Sequence, residues 1–66
     1  MNLEKGINFV LDALTGLLGK RDEKQLASLL PLFMPFLIDL LGTQEAEARA
    51  AIQIEASRML RKLGLA

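Results

Sequence analysis

The chain has 66 residues, 52% of them apolar and 24% charged, and its eight basic and eight acidic side chains cancel. With no Cys and no His there is no disulfide framework, no thiolate metal site and none of the commonest general base, so apolar burial alone must hold a single small domain over residues 1–66. The apolar share excludes a disordered chain, and the balanced charge offers no long-range attraction to nucleic acid or to an anionic membrane.

The first periodic stretch covers residues 2–18. Leu3, Ile7, Val10, Leu11, Leu14, Leu17 and Leu18 recur at three- and four-residue spacing. At ~100° per residue they fill an arc of roughly 120°, the width of a stripe that packs on a core. Gly6 and Gly16 weaken this helix by ~1 kcal/mol each relative to Ala, and Gly19 is placed to end it in the left-handed conformation. Phe9 falls on the otherwise polar back of the helix, beside Ala13 and Gly16.

A second helix is expected over 22–41. Asp22 serves as N-cap, and Gln25, three positions on, can return a hydrogen bond in a capping box. Gly42 then takes a left-handed turn and Thr43 caps a third helix over 44–63, which Gly64 stops. Glu45 and Glu47 lie in the first turn of that helix and Arg61 and Lys62 in its last, both favourable to the helix dipole. Ala48, Ile52, Ala56, Met59, Leu60 and Leu63 form its stripe, with Ile54 on the opposite side among Glu47, Arg58 and Arg61.

The middle helix breaks the pattern. Residues 26–41 read LASLLPLFMPFLIDLL, with twelve apolar members and two prolines. A proline inside a helix removes one backbone hydrogen bond at a cost of ~3 kcal/mol or more, so the segment is either one bent helix or two short ones. The bent form is favoured by spacing: Lys24, Ser28, Pro31, Pro35 and Asp39 share one narrow stripe, on which the carbonyls freed by the prolines face water. The apolar residues cover roughly 240° of the remaining circumference, twice an ordinary helix stripe. Two neighbours with 120° stripes cannot cover that arc. Leaving four such side chains in water forgoes ~6 to 12 kcal/mol, on the scale of a small domain's whole stability.

No stretch alternates long enough for a strand. The chain is therefore read as all-α: a small antiparallel three-helix unit, its central helix proline-kinked or split, completed by oligomerisation. The expected function is non-enzymatic self-association, as an assembly or adaptor subunit, with Phe9, Phe33, Phe36, Leu37, Leu40 and Ile54 at the contact. An apolar helix of another protein is a further possible occupant. Asp39 is read as an exposed residue beside Pro35 or, more sharply, as one end of a salt bridge across a subunit interface to Arg49 or Lys24.

Two other classes compete with this reading. A membrane-active peptide, pore-forming or lytic, would use the same apolar segment, but sixteen helical residues rise only ~24 Å against a hydrocarbon core of ~30 Å. A helix-turn-helix DNA binder would use the second and third helices, but Glu45 and Glu47 stand where phosphate would approach. No catalytic residue, cofactor site or metal site is expected: Thr15, Ser28, Thr43 and Ser57 occur in no nucleophile-elbow or phosphate-loop context. The first residues lack a basic stretch leading into an apolar one, so a cytoplasmic location is the default expectation.

Overall fold

The computed structural model describes residues 1–65. Three helices, α1 (Leu3–Leu18), α2 (Glu23–Asp39) and α3 (Glu45–Lys62), account for most of the chain, and no strand occurs among the described residues. Their local signals explain most of the boundaries. Asn2 caps α1, its side chain accepting from the Lys5 N–H at 2.8 Å, and Gly19 ends the helix at φ 73° with its N–H on the Thr15 carbonyl. Asp22 caps α2 by accepting from the N–H groups of Lys24 and Gln25, both at 3.1 Å. The return half of the expected capping box is not made, because Gln25 Oε1 is buried without a partner. Gly64, at φ 73°, closes α3 with the paired bonds of a Schellman turn: its own N–H reaches the Arg61 carbonyl and that of Leu65 the Leu60 carbonyl.

The junction between α2 and α3 differs from the expectation. Helix α2 stops at Asp39 rather than Leu41, and the N-cap of α3 is Gln44, whose side chain makes no capping bond. Thr43 is engaged elsewhere: its N–H donates to the Leu40 carbonyl, and its own carbonyl accepts from the Met1 ammonium at 2.8 Å. That long-range bond holds the turn around Gly42, which lies at φ 90° as foreseen.

Helix α2 runs unbroken through both prolines. Pro31 and Pro35 are exposed, as are Lys24, Ser28 and Asp39, so the freed carbonyls of Ala27 and Pro31 lie on the side that water reaches. This settles the continuity of α2 in favour of one helix.

Helix α1 occupies the central place. It packs against both α2 and α3, whereas no Cα of α2 comes within 8 Å of one in α3. The core is shared by all three: Val10, Ala13 and Leu14 from α1, Leu26, Leu29, Phe33 and Leu37 from α2, and Ala48, Ile52, Ala56 and Leu60 from α3 are buried. The backbones of α2 and α3 thus stand farther from each other than either stands from α1. Gly6 faces α2 where space is tight: a Cβ there would stand 3.0 Å from Met1 Cε and 3.1 Å from Leu37 Cδ2.

As a folded unit the chain is closed. Its accessible surface of 4216 Å² matches the roughly 4,200 Å² that scaling assigns to a compact 7.3 kDa monomer. Only about 60% of the unfolded chain's surface is removed from water at this size, which leaves stability marginal.

Candidate self-association surface

The outward side of α2 follows from its periodicity. Because Leu26, Leu29, Phe33 and Leu37 point into the core, the residues half a turn away must face out. These are Lys24, Ser28, Pro31, Pro35 and Asp39, flanked by Ala27 and Ile38 on one side and Leu32 on the other, and all are exposed. Leu32 keeps 50% of its surface in water, Ile38 56% and Leu41, just past the helix, 47%. The apolar excess of α2 therefore survives folding, but only in part. Leu30, Met34, Phe36 and Leu40 are half-buried against the core.

The six residues expected at a contact separate into three groups. Phe33 and Leu37 have no exposed surface, so their assignment to an intermolecular contact is corrected: the chain's own core uses both. Phe9, Phe36 and Leu40 are half-buried against that core and present only an edge to solvent. Ile54 is 70% exposed on the back of α3, apart from the α2 face. Leu63, expected in the α3 stripe, keeps 47% of its surface in water, and Leu65 41%. Leu32, Ile38 and Leu41 were legible as members of the apolar arc, although the sequence did not distinguish them from the members that turn inward.

Phe9 owes its position to the central place of α1. An open depression between α1 and the first half of α3 is lined by Phe9, Glu45, Ala46, Arg49, Ala50 and Gln53. The Arg49 guanidinium lies 5.4 Å from the centre of the Phe9 ring, a cation–π distance, so Arg49 is engaged within its own chain. Beside it Lys5 Nζ and Glu45 Oε1 form an ion pair at 2.7 Å. The hydrogen bond from Lys5, followed by its charge, holds the Glu45 carboxyl below the ordinary carboxylate range.

The remaining ion pairs are local. Arg21 binds Glu23 at 2.6 Å, Arg58 binds Glu55, and in each the carboxylate raises the guanidinium pKa through its hydrogen bond and its charge. Lys24 and Asp39 take part in no ion pair among the described residues. Among those residues, too, no three carboxylates gather closely enough to hold a metal ion, and no helix is long and apolar enough to cross a membrane. Glu45 and Glu47 are exposed in the first turn of α3, with Arg61 and Lys62 in its last. Comparison with protein-family models, with curated proteins and with solved structures finds no match.

Proposed function

We propose that this chain works by associating with copies of itself, as a small non-catalytic assembly or adaptor subunit that needs no cofactor. The observation that carries the reading is the exposure of Leu32 and Ile38 on α2 and of Leu41 just past its end, in a chain whose core is already closed. A scattered apolar residue on a surface needs no explanation. Two large ones on one helix and a third just past its end, in a domain this small and without net charge to keep copies apart, are a different matter.

About half of each of these side chains is left in water. Complete burial of a Leu or Ile is worth ~1.5 to 3 kcal/mol, so covering the exposed halves of all three returns about 2 to 5 kcal/mol per chain. That gain is comparable with the stability a single core of this size supplies. Symmetric contacts between identical chains are the commonest way to realise it.

The test is sedimentation velocity over a concentration series, in buffer and with phosphatidylcholine liposomes with or without anionic lipid. A discrete, reversible dimer or higher oligomer in plain buffer is the expected result. A chain that stays monomeric to high concentration, or that leaves solution for the liposomes and makes them leak, overturns the proposal.

A further inference from the structure

We infer that the outward face of α2 pairs with the same face of a second copy, antiparallel, about a two-fold axis near Pro31 and Leu32, with Lys24 of each chain opposite the partner's Asp39. This rests on the self-association reading above and specifies its partner, its surface and its direction.

Charge placement supplies the argument. Lys24 and Asp39 are the only unpaired charged residues on the outward face of α2, and both are exposed. Fifteen residues of helix separate them by about 22 Å, too far to pair within one chain. Each also stands at the wrong end of the helix dipole. Lys24 lies in the first turn, where positive charge is disfavoured, and Asp39 ends the helix, where negative charge is disfavoured. Helix α3 obeys the same rule at both ends. Folding of the single chain therefore gives no reason for this pair of charges, and both would serve it better reversed.

A second copy supplies the reason. In a parallel pairing of two α2 helices, Lys24 would face the partner's Lys24 and Asp39 the partner's Asp39, a repulsion at each end. Antiparallel pairing turns both into attractions. The midpoint between positions 24 and 39 falls between Pro31 and Leu32, so the axis passes through apolar groups and Ser28 lies opposite the partner's Pro35. The rings of Pro31 and Pro35, with Ala27, Leu32 and Ile38, then form an apolar centre in which the freed carbonyls of Ala27 and Pro31 keep bridging water, closed by an ion pair at each end, the arrangement of apolar core, polar rim and trapped water found in specific interfaces. Self-complementarity of one patch is what a two-fold contact requires. Arg49, the other cation considered for Asp39, is taken up by Phe9.

The experiment uses charge reversal. Lys24→Glu and Asp39→Lys each place like charges at both ends of the antiparallel contact while matching the helix dipole better, so each chain stays folded by circular dichroism. Each variant alone is expected to dimerise about tenfold or more weakly than the natural chain at low salt, with the difference shrinking near 1 M salt. An equimolar mixture of the two single variants restores attraction at both ends. Native mass spectrometry of that mixture, with one chain isotope-labelled, is expected to show the heterodimer in clear excess over either homodimer. The double variant carrying both reversals should recover the natural affinity.

The outcomes separate the two proposals. If the natural chain dimerises and both single variants match it, or if the mixture shows no preference for the heterodimer, the antiparallel α2 pairing is wrong while self-association stands. If the natural chain never dimerises, both fall.

Discussion

Gly6 and Gly16 lie in the same helix, yet substitution by alanine is expected to move stability in opposite directions. Glycine in a helix interior costs roughly 0.5–1 kcal/mol relative to alanine, because more backbone freedom is lost on folding. At Gly16 a Cβ would meet nothing within 4 Å, so Gly16→Ala should keep that whole gain. For a domain of this size it corresponds to a rise in Tm of about 2–8 °C. At Gly6 the new atom would lie 3.0 Å from Met1 Cε and 3.1 Å from Leu37 Cδ2. The end of Met1 can swing aside, but Leu37 has no exposed surface and can retreat only into packed neighbours. Overpacking of that kind costs about 1–3 kcal/mol, so Gly6→Ala should come out between neutral and about 2 kcal/mol destabilised. Urea unfolding followed by circular dichroism, at a concentration where the chain is monomeric and with the m-value checked for constancy, measures both. Gly6→Ala stabilising as much as Gly16→Ala would show that α1 and α2 do not approach as described. A loss at Gly16 would mean that something covers its face.

Phe33→Ala removes the largest fully buried side chain and should cost about 3–5 kcal/mol, enough to leave so small a domain largely unfolded by circular dichroism at 25 °C. Thr15→Val replaces a buried hydroxyl that has no hydrogen-bond partner by a methyl group of the same shape, and should raise stability by about 1 kcal/mol in urea titration. Pro35→Ala restores a backbone hydrogen bond within α2 and should stabilise the monomer by about 1–2 kcal/mol, after allowing for the greater freedom of the unfolded chain. The folded-state pKa of Glu45 is depressed, so its contribution is present above the ordinary carboxylate range and is lost as pH falls through and below it. Stability of the natural chain should therefore decline in acid more than that of Glu45→Gln, and the two acid titrations compared directly decide it.

The elements and most of their punctuation were legible because they are local. Gly19, Gly42 and Gly64 adopt the left-handed conformation that their places between periodic stretches imply, and Asp22 caps where its spacing says it should. Thr43 was misread because its role is set from the far end of the chain, by the Met1 ammonium on its carbonyl. Periodicity gives the width of an apolar arc but not the part of it that turns inward, which explains why Phe33 and Leu37 were placed at an interface while Leu32 and Ile38 were not singled out. The back of α1 looked solvated on the premise of one broad stripe facing one core. Packed on two sides, α1 buries a wider arc that takes in Gly6 and Ala13 and brings Phe9 against α3.

The contrast between α2 and α3 is the strongest reason to look outside the chain. The two helices are of nearly equal length, and α3, although its N-cap makes no side-chain bond and Ile54 is exposed on its back, follows these intrachain rules: one buried stripe, an acidic first turn, a basic last turn and a glycine stop. Helix α2 departs from those rules in three ways, with two interior prolines, charges set against its dipole, and large apolar side chains left in water. Each departure weakens the isolated fold. All three coincide on the outward face of one helix, where they do not disturb the core, and together they make a patch with an apolar middle and opposite charges at its ends. Separate accidents would scatter around the helix and offset one another at random. A face shaped by what lies against it concentrates such costs in one place and recovers them in the contact, and the charge-reversal mixture asks whether Lys24 and Asp39 recover theirs.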